Sequence, residues 1–146
     1  SMKHFSKLFM LLVFVGYLTG CTKDEDNPKP TSPTTSTDAR SYLVGEWLCN
    51  EVSEVFNETT YTIGIQLHTT VSNRVVASNF YNYGFENSNA QFEINGNQIT
   101  IFQQNLSGID VVGNGTIVNS KTINLSYVVN DGSGDDHVTA VYTKVN

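Results

Sequence analysis

From Tyr42 onward the chain alternates apolar and polar residues in short runs. Tyr61, Ile63, Ile65 and Leu67 interleave with Thr60, Thr62, Gly64, Gln66 and His68, and Ile123, Leu125, Tyr127 and Val129 interleave with Thr122, Asn124, Ser126 and Val128. A period of two puts one set on each face of an extended strand, so each run predicts a half-buried strand. The runs are rich in Val, Ile, Thr, Tyr and Phe, and Asn, Gly, Ser and Asp separate them. Strands are predicted over 43–55, 60–69, 74–84, 90–95, 98–104, 108–118, 122–130 and 137–145. No apolar stripe with a 3.6-residue period is present, and residues 54–60 are the best place for a short helical turn.

Short links between successive strands favour antiparallel neighbours in chain order. The clearest hairpin runs from Gln91 to Ile101. A turn on Asn95-Gly96 suits type I′ geometry and places Phe92 opposite Ile99; a turn on Gly96-Asn97 pairs Ile94 with Ile99 instead. Either register keeps the apolar residues on one side. An eight-stranded antiparallel meander must manage its two edges, and closure into a barrel removes them. The expected fold is therefore all-β, an eight-stranded meander barrel with the first strand paired to the last. A two-sheet sandwich is the competing architecture.

The N-terminal part follows a different pattern. Lys3 and Lys7 precede an apolar run, Leu8 to Leu18, of about 11 residues, short of the about 20 that span a bilayer as a helix. Leu18-Thr19-Gly20-Cys21 closes it and resembles the lipobox of bacterial lipoproteins. The resemblance implies cleavage before Cys21, a diacylglycerol on the Cys21 thioether, and membrane association through that lipid. The next stretch, to about residue 39, holds all three prolines and many Ser and Thr, with no apolar residue before Ala39, as expected of a flexible tether. Lys23 followed by Asp24-Glu25-Asp26 resembles the surface-export signal of Bacteroidetes lipoproteins. The expected organisation is a signal segment over 1–20, a lipidated Cys and tether over 21–40, and one barrel domain over 41–146. The expected location is the outer membrane, on its periplasmic or cell-surface face.

At the start of the first strand, Gly45-Glu46-Trp47 resembles the Gly-x-Trp that opens the first strand of lipocalins. The last strands, 123–127 and 139–144, are similar to the closing hairpin of Bacteroidetes lipocalin-like lipoproteins. The resemblance covers residues 42–146. It implies that Trp47 plugs the closed end of the barrel beneath a cation from a late strand. The last strand has no Arg, and Lys144 is the residue available for that role. The family further implies a small hydrophobic ligand within the barrel, for which Trp47, Ile63, Ile65, Phe92, Ile101 and Tyr127 are the candidate lining. The alternative is a packed interior, with loops and exposed aromatics around Asn79–Phe85 serving a glycan or protein partner.

Composition narrows the remaining choices. Loss of Lys3 and Lys7 with the signal takes the formal net charge from −6 to −8. An acidic domain of this size argues against nucleic-acid binding, which needs a basic face. If Cys21 carries lipid, Cys49 has no disulfide partner, and its apolar neighbourhood predicts a buried, inert thiol. No nucleophile elbow, zinc spacing or phosphate loop occurs, so neither an enzyme nor a cofactor is expected. Glu46, Glu51, Glu54 and Glu58 are expected as solvated side chains. His68 belongs to a polar strand face, and His137 begins the last strand. No metal site is expected; the nearest approach to one is the loop 131–136, where Asp131, Asp135 and Asp136 alternate with Gly and Ser and could meet Ca²⁺, though the same residues make an ordinary turn. A monomer is expected.

Overall fold

A computed structural model describes residues 38–146. The expected signal segment, the lipidated Cys21 and the tether up to residue 37 lie outside the described residues. Eight strands form a closed antiparallel barrel in chain order: β1 (Gly45–Ser53), β2 (Asn57–Leu67), β3 (Arg74–Ser78), β4 (Ala90–Asn95), β5 (Gln98–Leu106), β6 (Ile109–Asn119), β7 (Thr122–Asn130) and β8 (Asp135–Lys144). The seam is closed by β1 and β8, whose register runs from Trp47 opposite Lys144 to Ser53 opposite Val138. Strand β1 thus pairs on both edges, with β2 and with β8. The architecture is the barrel and not the sandwich.

Alternation along each strand fills the interior. Strand β8 sends Asp136, Val138, Ala140 and Tyr142 inward, and β7 sends Ile123, Leu125, Tyr127 and Val129. At the end where β1 begins, Trp47 is fully buried and its indole Nε1 donates to the Leu43 carbonyl at 2.8 Å. The Lys144 ammonium lies 5.5 Å from the centre of the Trp47 ring and also donates to the Tyr42 carbonyl. Lys144 therefore sets a cation against the buried Trp47 ring. Arg40, which the sequence placed at the end of the tether, belongs to this closed end. Its side chain is buried, makes a two-pronged pair with Asp38, and donates to the Val71 carbonyl of the β2–β3 connection and to the Arg74 carbonyl that opens β3.

Two local expectations are corrected, and the open choice of hairpin register is resolved. The third predicted strand, 74–84, ends at Ser78, because Asn79 takes a left-handed backbone (φ 59°) and a short 3₁₀ turn, Phe80–Asn82, follows. The Asn79 amide stabilises the break, donating to the Thr62 carbonyl at 2.8 Å and accepting from Gly84 N at 3.0 Å. In the 91–101 hairpin, Ile94 faces Ile99 and Asn95 faces Gln98, so the turn is on Gly96-Asn97. Residues 54–60 hold no helical turn; the β1–β2 hairpin turns there, closed by the Ser53 hydroxyl accepting from Val55 N and Phe56 N. The short 3₁₀ turns are instead Ser41–Leu43, of which only Leu43 falls within the first predicted strand, and Phe80–Asn82.

The break at Asn79 decides what the interior contains. It turns the fully buried Phe80 ring down into the barrel, 5.7 Å from Phe92 edge-on and 4.6 Å from Tyr127. Such aromatic contacts add about 0.5–1.5 kcal/mol beyond area burial. Phe80 acts as a stopper, and the barrel below it is packed.

Candidate functional site

Above Phe80 the inward positions become polar. On β1 the inward series Trp47, Cys49, Glu51, Ser53 runs from the closed end to the open end. Glu51 therefore departs from the solvated position expected for it: it is 4% exposed and inside the barrel. The hydroxyls of Tyr61 on β2 and Tyr127 on β7 both donate to its Oε2. Burial raises the Glu51 pKa most, the two phenols lower it, and the neighbouring Asp136 charge raises it again, leaving it above its ordinary value.

Asp136, the first inward residue of β8 and also 4% exposed, stands on the strand next to that of Glu51. It accepts from the Ser53 hydroxyl at 2.6 Å, the Tyr81 hydroxyl at 2.6 Å and Val55 N at 3.2 Å. Burial pushes its pKa up, but these donors outweigh burial and hold it below the ordinary value. Burial, and then the Asp136 hydrogen bond, push the Tyr81 phenol up. Two buried carboxyls on adjacent strands thus have pKa values shifted in opposite directions.

Together these groups bound a cavity of about 550 Å³ at the open end, within the usual range of about 300–1,000 Å³ for small-molecule sites. Glu51 and Asp136 contribute carboxyls, Phe56, Tyr81 and Tyr83 contribute rings, and Val55, Ile109 and Val129 contribute aliphatic wall. Phe56 and Tyr81 meet edge to face, 6.0 Å between centres, across the β1–β2 turn and the 80–82 turn. Asp131, Ser133 and Gly134 of the β7–β8 loop complete the rim.

The residues proposed from sequence distribute differently. Trp47, Ile63, Ile65, Phe92 and Ile101 are all 0–1% exposed, and none lines this cavity. They form the packed barrel beneath it. Tyr127 meets the cup through its bond to Glu51. The three loop aspartates do not converge. Asp136 points inward, Asp135 is exposed and accepts from Asn130 Nδ2 at 2.6 Å, and Asp131 accepts from the Ser133 hydroxyl and Ser133 N. Among the described residues no group of three His, Cys, Asp or Glu is placed to hold a metal ion. His68 lies just beyond β2, its Nδ1 accepting from Thr70 N and Val71 N, and His137 pairs with Glu54 at 3.1 Å on the outer surface.

Glu51 was within reach of sequence reasoning. Two steps of two from Trp47 give an inward residue, and that register was the signal. Tyr81 and Asp136 were harder, because they depend on the left-handed break at Asn79 and on the start of β8 two residues before its predicted position.

No family model matches the chain, and no curated protein matches it. Among solved structures the chain is similar to a redesigned β-barrel, at 13% identity and TM-score 0.51 over 76% of this chain and 98% of that one. It is also similar to EF1p2_mFAP2b bound to DFHBI, at 12% identity and TM-score 0.53 over 74% of this chain and 98% of that one. At these identities the likeness is one of fold, that of a small β-barrel.

Proposed function

We propose that this protein is a lipocalin-like lipoprotein, held to the outer membrane through Cys21, that binds a small molecule in the cup at the open end of its barrel. The observation that carries the reading is the cup itself: a cavity of about 550 Å³ in which buried carboxyls and aromatic rings converge above a packed interior. Sites of this kind pair a mostly apolar lining with a few fixed polar groups that orient the ligand. Gly45-x-Trp47 at the start of β1, with Lys144 over the Trp47 ring, supports the lipocalin-like reading. The lipobox-like Leu18–Cys21 supports the anchor. The likeness to EF1p2_mFAP2b reaches the fold alone, so the lining of the cup carries the ligand argument. The reading is of a binder, with no reaction assigned to it.

Protein extracted from its native membranes tests this by mass spectrometry. The expected result is an acylated Cys21, residues 1–20 absent, and a small molecule released on denaturation. A Phe56→Arg variant, which fills the cup, should release none. An unmodified soluble chain would overturn the anchor, and a molecule retained equally by the variant would overturn the cup.

A second reading has its own observation. Phe56 and Tyr83 are 63% and 40% exposed at the open end, and Phe85, 57% exposed, lies beside Gln66, Leu67 and Val76 on the outside of β2 and β3, as for a surface that meets a glycan or protein. Phe85→Ser lies outside the cup lining. Loss of a macromolecular partner in that variant, with small-molecule retention unchanged, would favour this reading.

A further inference from the structure

We propose that the cup selects a protonated amine carried on an aromatic or aliphatic body, with the ammonium group seated between Glu51 and Asp136. This rests on the reading that the cup binds a small molecule, and adds the chemical class of that molecule.

The first observation is an unused acceptor. Glu51 is 4% exposed and lines the cavity, and both phenol donors go to its Oε2. Its Oε1 has no hydrogen-bond partner among the described residues and is not among their sealed, unpartnered polar atoms. It is an acceptor facing the cup. Open to the cavity and free of protein donors, it can accept a charge-assisted hydrogen bond from a ligand N–H.

The second observation is charge. The described lining contains Glu51, Asp131 and Asp136 and no Lys, Arg or His. Arg40, Arg74 and Lys144 act elsewhere, with Arg40 and Lys144 at the closed end and Arg74 over the outward Phe102 ring at 4.4 Å. An anionic ligand would bring a further negative charge into a low-dielectric hollow, and a neutral one would leave the carboxyls uncompensated. An ammonium supplies both the donors and the countercharge.

The third observation is the wall. Phe56, Tyr81 and Tyr83 present ring surface, which attracts a cation, while Val55, Ile109 and Val129 accept an apolar body. A small inorganic cation would leave that surface unused.

Three probes of similar size separate the possibilities by calorimetry on the folded chain: 2-phenylethylamine, 2-phenylethanol and phenylacetate at neutral pH. The amine should bind about tenfold or more tighter than the alcohol, with phenylacetate weakest, as expected for one charge-assisted hydrogen bond. Glu51→Gln and Asp136→Asn should each erase most of the amine's advantage over the alcohol. Equal or tighter binding of the alcohol or phenylacetate would overturn the amine selectivity and leave the cup a binder. An amine preference that survives both substitutions would overturn the assignment to these carboxyls. Binding of none of the three would overturn the inference and weigh against the small-molecule reading. The comparison among probes on the unsubstituted protein stands even if a variant fails to fold.

Discussion

Tyr127 and Glu51, 76 residues apart in sequence, meet inside the upper barrel, where the Tyr127 hydroxyl donates to Glu51 Oε2. Strand β8 lies between the strands that carry them, and the residue it sets opposite Glu51 is Ala140. Its small side chain leaves the gap across which the phenol reaches. Tyr61 donates to the same oxygen from β2 on the other side. The carboxyl is thereby fixed as the floor of the cup, with its second oxygen turned to the ligand space.

The two cup carboxyls give stability opposite pH dependences. Burial raises Glu51 above its ordinary 4.5, so its contribution is fully present below that value and is lost as pH rises through the raised one. Asp136 is held below its ordinary 3.8, so its contribution is present above 3.8 and lost as pH falls through the lowered value. Urea midpoints measured against pH should show Glu51→Gln gaining on the parent as pH rises from about 4.5 toward neutrality. A constant difference across that range would contradict a Glu51 pKa raised by burial.

Tyr142 offers a contrast with Tyr127. Its hydroxyl is fully buried with no partner among the described residues. Tyr142→Phe removes an unsatisfied group and should be neutral or stabilising by up to about 1 kcal/mol, whereas Tyr127→Phe takes a donor from Glu51 and should cost about 1–3 kcal/mol. Denaturant titration of both variants checks the ordering, and a larger loss for Tyr142→Phe would contradict it.

Gly113 is where β6 must do without a side chain. A Cβ there would stand 2.4 Å from the Ser126 carbonyl oxygen and 2.5 Å from Tyr127 Cβ, closer than either can tolerate without moving. Gly113→Ala should cost about 1–3 kcal/mol by overpacking. Because Tyr127 is the group displaced, the pH dependence assigned to Glu51 should change in the same variant. An unchanged profile with full stability would show that β6 yields freely.

At the closed end, Trp47→Ala should lose about 3–5 kcal/mol, and Lys144→Met about 0.5–1 kcal/mol through the lost cation–ring contact. Both are read from chemical denaturation. A loss within about 0.5 kcal/mol for Trp47→Ala would contradict its place as the basal plug.

Cys49 sits between Tyr61 and Tyr142 in the register of β1, and burial pushes its thiol up to about 12. It should react with a thiol reagent only as fast as the barrel opens. Rapid labelling of the native protein at neutral pH would contradict that.

Strand number, order and closure were legible in the sequence because period-two alternation survives in nearly every run, and Trp47 was legible from the Gly45-x-Trp47 setting. The cup was not, for two physical reasons. The 74–84 run is apolar enough to read as one strand, yet the Asn79 side chain bonds a neighbouring strand and turns the backbone left-handed, lodging Phe80 in the lumen. The interior ligand space expected around Ile63, Ile65, Phe92 and Ile101 is filled, and the open volume lies above. Glu51 shares its residue type with the solvated glutamates beside it, and only its position in the β1 alternation marks it as inward.

Ligand binding in the cup is tested most directly by titrating isotope-labelled barrel with 2-phenylethylamine and following amide and side-chain NMR shifts residue by residue. Saturable changes are expected at Val55, Phe56, Tyr81, Tyr83 and Asp136 around the open end, with the Trp47 indole at the closed end unmoved. Saturable shifts confined to the outer strand faces or the closed end, or no saturable shift at all, would contradict it.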